Sequence, residues 1–199
     1  LIIFWCINKY HGYYILSIGF MGTVINQFLK ITYRIPRPWV KDPSFTIVES
    51  ARAEATGYSF PSGHTQSSVG LFGGVARVRK NIIVRIIMII ICLLVPFSRM
   101  YLGVHYPSDV IVGIILGVSV TIGFGILYDK AKNKNLLMLI MLIALVPFFI
   151  AFMFEKDDNA LSLAANFYKM FGMFSGLLVG SLFEENVVKY DISGPIWKK

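Results

Sequence analysis

The stretch Tyr58-Ser59-Phe60-Pro61-Ser62-Gly63-His64-Thr65-Gln66 stands where a polar loop gives way to an apolar run. Pro61 suits the first turn of a helix, because its missing N–H would have had no partner there. Small side chains at Ser62 and Gly63 let backbone N–H groups come close to an anion, and the helix dipole favours negative charge at that end. His64 follows, a titratable ring beside that cradle. The chemistry on offer is anion binding coupled to proton transfer. Alone the pattern is weak, since a Pro-Ser-Gly turn before a helix is common and a single His near a helix start is usually structural.

Two further stretches bring cations and a second imidazole. Lys30-Ile31-Thr32-Tyr33-Arg34-Ile35-Pro36-Arg37-Pro38 leaves the end of one apolar segment, and Ser98-Arg99-Met100-Tyr101-Leu102-Gly103-Val104-His105-Tyr106-Pro107-Ser108-Asp109 joins two others. A phosphate monoester carries close to two negative charges, and its transfer develops charge on the equatorial and leaving oxygens, so fixed cations are the direct remedy. Two unit charges near 4 Å attract by roughly 4 kcal/mol at an effective dielectric of about 20. Arg grips two oxygens at once, whereas Lys acts as a point charge. An Arg beside a membrane core, such as Arg99, costs about 2.5–3.5 kcal/mol on insertion scales at the helix centre and so points to function. Arg34 is read as snorkelling to the interface, and His11 as interfacial with no chemical role.

In chain order the three stretches read Lys-x6-Arg-Pro, Pro-Ser-Gly-His and Ser-Arg-x5-His-x3-Asp. This resembles the three-part signature of the type-2 phosphatidic acid phosphatase superfamily, over roughly residues 30 to 109. The resemblance implies phosphate binding by Lys30, Arg37 and Arg99, with Ser62 and Gly63 completing the cradle. It implies that His105 attacks phosphorus to form a phosphohistidine that water then cleaves. His64 would protonate the leaving alkoxide and later activate the water. Asp109 lies four residues beyond His105, with Pro107 between them as a helix start. There it can accept the proton of one ring nitrogen and leave the other free. No carboxylates and histidines stand at metal-ligand spacing, so metal-independent hydrolysis without a cofactor is expected. Asp157-Asp158 reads as a solvated cap.

The rest of the chain is suited to lipid. Of 199 residues 56% are hydrophobic and only 15% charged, and mean hydropathy is +0.66, with apolar residues in long runs. Cys6 and Cys92 lie in apolar segments far apart, which argues against a disulfide framework or a metal site. The formal charge of +8 falls mostly in short loops and reads as topology rather than nucleic-acid binding. Runs at 11–29, 61–78, 82–97, 110–128, 136–154 and 161–183 predict an all-α fold. It is a polytopic transmembrane helix bundle with six full spanning helices and an N-terminal stub at residues 1–7. Gly70 with Gly74, and Gly113 with Gly117, have the spacing that allows close helix contact, and Gly172, Gly176 and Gly180 share a face.

Loops around 77–85 and 129–135 are basic, so the positive-inside rule makes them cytoplasmic. The alternating loops at 30–60, 98–109 and 155–160 then carry all three motifs to the extracytoplasmic face. Residues 1–199 are read as a single membrane-embedded domain, with a core of about 11–128 and an additional C-terminal helix pair at about 136–183. That extension resembles the one in sphingosine-phosphate phosphatases. With no initiator Met and only a stub before the first run, the N-terminus is read as truncated. The resemblance implies hydrolysis of a membrane lipid phosphate monoester or pyrophosphate, such as phosphatidic acid, a polyprenyl pyrophosphate or a sphingoid phosphate. The alternatives are a lipid phosphotransferase of the same fold, or a non-enzymatic lipid-phosphate binder or transporter, which would not need His105 and His64.

Overall fold

The structure, a computed structural model, describes residues 3–189. All regular elements among the described residues are helical. A π-helical turn, Ile3–Ile7, precedes α1 (Lys9–Tyr33), whose first turn is capped by the Asn8 side chain accepting from the His11 N–H at 3.1 Å. Arg34 closes α1 in the left-handed region (φ 49°), its N–H bonded to the Lys30 carbonyl, and Pro36 prevents the helix from resuming. A short α2 (Pro38–Lys41) and a 3-10 turn (Glu49–Ala51) punctuate the long polar loop. Then come α3 (Gly63–Val78), α4 (Ile82–Tyr101), α5 (Pro107–Lys130), α6 (Lys134–Ala144), α7 (Val146–Met153) and α8 (Asp158–Phe183), before a last π-helical turn (Glu184–Val188).

Several boundaries differ from the sequence expectation, each for a local reason. Pro61 lies outside α3: Ser62 takes the N-cap, and the Phe60–Pro61 peptide is cis. The run 136–154 is divided between α6 and α7 at Leu145, because Pro147 has no N–H to give the preceding turn. Pro96, by contrast, sits inside α4 without ending it. The first run extends past residue 29 to Tyr33, which carries Lys30 on α1 itself.

Four stretches are long and apolar enough to cross a membrane: Lys9–Lys41, Ile82–Tyr101, Pro107–Lys130 and Lys134–Met153. α3 has only 16 residues, and α8 mixes Asn166 and Lys169 into its surface, so a count of six spans rests on more than length and hydropathy. α4 exposes Ile83, Ile86, Ile90, Leu93, Leu94 and Phe97, an apolar surface that fits contact with lipid.

α3 is the hub, packed against α1, α4 and α5. Its approach to α5 depends on small residues. A Cβ on Gly113 would lie 2.9 Å from the Ser62 carbonyl oxygen, and one on Gly117 only 2.7 Å from the Val69 side chain. Gly70 and Gly74 likewise admit Ile18 of α1. One pair of contacts interlocks α1 with α3: Asn26 packs over Gly63, and Gln66 packs over Gly22. α8 lies along α1, burying Phe167 and Phe174 with Val24 and Ile31. The glycine face of α8 has no such role, since Gly172, Gly176 and Gly180 meet no packing atom within 4 Å among the described residues.

Candidate active site

Backbone bonds join the three motif stretches at one end of the bundle. The Ser59 N–H donates to the Ile35 carbonyl at 2.8 Å, tying the second stretch to the first. The Ser62 N–H donates to the Asp109 carbonyl at 3.0 Å, tying the second to the third. Pro107 starts α5, and Asp109 in its first turn accepts the Tyr106 N–H through Oδ2 at 3.0 Å. The carboxylate that closes the helix start is therefore held in place by that start.

The same oxygen faces His105. Asp109 Oδ2 lies 3.1 Å from His105 Nδ1 and 2.5 Å from the Ser59 hydroxyl. Arg37 Nη1 lies over the ring, 2.9 Å from His105 Nε2 and 3.5 Å from Nδ1. An ionised carboxylate can only accept, so Nδ1 holds the proton and Nε2 the lone pair. That proton is then given to Asp109. The arrangement leaves Nε2 without a proton. His105 is 5% and Asp109 1% exposed, so water competes little for these bonds. Burial pushes the imidazole of His105, in the turn between α4 and α5, down to about 4. The Asp109 bond opposes that shift, while the Arg37 and Lys30 charges add to it. The ring is therefore neutral at physiological pH.

The two buried cations are held by carbonyl oxygens. Arg37 donates to the carbonyls of Thr56 at 2.8 Å, Gly57 at 3.2 Å and Val104 at 2.9 Å. Lys30 Nζ donates to the carbonyls of Tyr58 at 2.5 Å and Ser59 at 3.2 Å. Carbonyls orient these side chains without supplying an opposite charge, which leaves them directed at a cavity that suits an anion. Lys30, Arg37, Gly63, His64 and His105 all line one cavity of about 430 Å³. The N–H groups of Gly63 and His64 open α3 and have no acceptor within the helix. Among the described residues no three His, Cys, Asp or Glu come together as a metal would require. The cations that line the cavity suit an anion.

Two expected residues behave differently from the rest. Ser62 is fully buried and acts as a cap, its hydroxyl accepting from the Thr65 N–H at 3.4 Å. Arg99 does not line the cavity: its Nε donates to the Ser98 hydroxyl at 3.3 Å. Arg34, expected to snorkel to the interface, pairs there with Glu155 at 2.8 Å and Asp157 at 3.5 Å. Asp157 in turn accepts from the Tyr58 hydroxyl at 2.8 Å, so it is more than a solvated cap; the Asp158 side chain lies outside the described residues. Sequence reasoning missed Ser59, the carbonyl cage of Arg37, and the cavity walls Asn26 and Gln27 on α1 and Asn166 on α8. Gly57, at φ +62°, was a legible turn signal for the cage. Nothing in spacing singled out Ser59.

The family model described as PAP2 superfamily matches residues 10–135. The chain is 34% identical to the undecaprenyl-diphosphatase BcrC of Bacillus subtilis over 117 residues, covering 59% of this chain and 56% of the relative. It is 29% identical to the lipid A 4'-phosphatase of Bacteroides thetaiotaomicron over 112 residues, covering 55% of this chain and 48% of that one. The chain thus spans about half the length of the curated relatives it matches. No solved structure matches.

Proposed function

We propose a function from one premise: the chain belongs to the PAP2 superfamily. It is an integral-membrane phosphatase that hydrolyses a lipid phosphate monoester or pyrophosphate through a phosphohistidine, without a metal. The observation that carries this reading is the setting of His105, with Nδ1 3.1 Å from the Asp109 carboxylate and the ring lining a cavity shared with Lys30, Arg37 and His64.

The reaction follows from those positions. A phosphoryl group entering the cavity draws an Arg37 N–H from the ring to its own oxygen, with Lys30 and the α3 N-terminus sharing its charge. His105 Nε2 then bonds to phosphorus as the bond to the leaving oxygen breaks, and His64 delivers a proton to that oxygen. The phosphorylated ring carries positive charge, which the Asp109 carboxylate stabilises. In the second half His64 takes a proton from water, whose oxygen attacks phosphorus and releases phosphate and neutral His105. Arg99 joins the phosphoryl oxygens once substrate is bound.

The names of the relatives support a lipid carrying a phosphate or diphosphate. α3 and α8 add to the four apolar stretches to make six spans, in one domain whose C-terminal helices extend the core. The basic residues at the α3 and α5 ends mark the cytoplasmic side, so the catalytic mouth opens extracytoplasmically. The test is phosphate release from a panel of lipid phosphates and diphosphates in detergent micelles with EDTA present. Release that persists with chelator and stops with vanadate is expected. A strict need for magnesium, or transfer of the phosphoryl group to an added alcohol in preference to water, counts against hydrolysis as proposed.

A further inference from the structure

Two adjoining cavities lie at the end of the bundle opposite His105, and we propose that together they bind one phospholipid with an anionic headgroup. The first, about 660 Å³, is walled by Tyr14 and Tyr128 and lined by Arg77, Lys80, Arg85 and Lys134 against one acid, Asp129. Arg77 takes that acid at 2.5 Å, while also standing 5.1 Å over the Tyr14 ring. Lys134 bonds the Tyr128 and Ala131 carbonyls, and Arg85 Nε donates to the Arg79 carbonyl at 2.6 Å. Carbonyls leave these charges uncompensated. The cavity therefore holds an excess of cations, with the Arg85 terminal nitrogens and Lys80 available to a ligand.

Basic residues at a membrane surface satisfy topology by themselves, so the charge alone indicates no ligand. The second cavity adds the independent observation. It is a groove of about 460 Å³ floored by α3, with Val69 and Ala76 below, Ile89 of α4 on one side, and Val118 and Ile122 of α5 on the other. α4 and α5 each pack closely on α3 but hardly on each other, which leaves the slot. Gly73 keeps its floor open, for a Cβ there would meet only Thr121 at 3.9 Å. Arg77 and Arg85 line both cavities, so the apolar slot runs directly into the basic pocket. A soluble anion would use only the pocket, and an uncharged lipid only the slot. An acyl chain joined to an anionic headgroup uses both. This site does not depend on the phosphoryl chemistry at the other end.

The test is native mass spectrometry of the full chain in detergent, with phosphatidylglycerol, phosphatidylcholine of the same acyl chains, or glycerol phosphate added. Phosphatidylglycerol should be retained over phosphatidylcholine, by about fivefold for each cation engaged. Lys80→Ala should lower its retention about fivefold, and Gly73→Leu, which fills the slot, should lower it without lowering the melting temperature. Should Gly73→Leu fail to fold, Lys80→Ala alone decides. Equal retention of the two lipids, glycerol phosphate bound as well as phosphatidylglycerol, or retention indifferent to the variant would each overturn the proposal.

Discussion

Arg37 Nη1 lies 2.9 Å from His105 Nε2, so the guanidinium stands beside the nitrogen proposed to attack phosphorus. Arg37 reaches this place because the Thr56, Gly57 and Val104 carbonyls hold its other N–H groups. Arg has a fork that Lys lacks. Arg37→Lys should therefore lower kcat/KM for phosphate release by about 10²–10³-fold. A loss under about tenfold would mean that the fork is dispensable.

Ser59 has a positioning role that its place in the chain does not advertise. Its hydroxyl is fully buried and lies 2.5 Å from Asp109 Oδ2, the oxygen that also receives His105. Ser59→Ala should reduce kcat by about 10–100-fold with little change in KM, as loss of a supporting hydrogen bond does elsewhere. If kcat stays within about twofold of the parent, the dyad is fixed without Ser59.

The pH dependence of stability follows from His105. Its folded value near 4 lies below the ordinary 6.5, so between those values the unfolded chain binds the proton more readily. The contribution is thus lost as pH falls from about 6.5 toward 4, and amounts to roughly 2 kcal/mol by pH 5. Thermal unfolding in detergent at pH 7 and pH 5 should show a larger drop for the parent than for His105→Gln. Equal drops would mean that the ring is not buried neutral.

Arg34 separates the cluster from its surroundings. It pairs with Glu155 and Asp157 at the surface, its side chain 45% exposed. Arg34→Ala should destabilise by no more than about 1 kcal/mol and leave phosphate release intact, as steady-state assays can check. A loss comparable to that of Arg37→Lys would place Arg34 in the phosphate site.

The helical class was legible because long apolar runs have few alternatives in a chain of this hydropathy. The glycines at 113 and 117 also announced a close helix contact, and α5 does approach α3 there. Lys30, Arg37, His64 and His105 line one cavity and Asp109 bonds His105, a convergence that the order of the motifs announced. What the sequence hid were contacts made by backbone atoms and by residues without a spacing rule. The cage around Arg37 is built of carbonyls, which every residue type carries. Ser59 is one serine among several in a polar loop, and only the fold sets its hydroxyl against Asp109. Arg34 lies in the same basic cluster as Lys30 and Arg37, and its partners come from residues 155 and 157, far away in sequence.

The central claim is a covalent bond between phosphorus and His105 Nε2. Rapid quenching of the enzyme with a radiolabelled lipid phosphate should trap label on His105 as an acid-labile, base-stable phosphoenzyme. The label should be lost on chase with unlabelled substrate and never form in His105→Ala. Steady turnover with no trapped label, together with near-normal phosphate release by His105→Ala, would contradict the account.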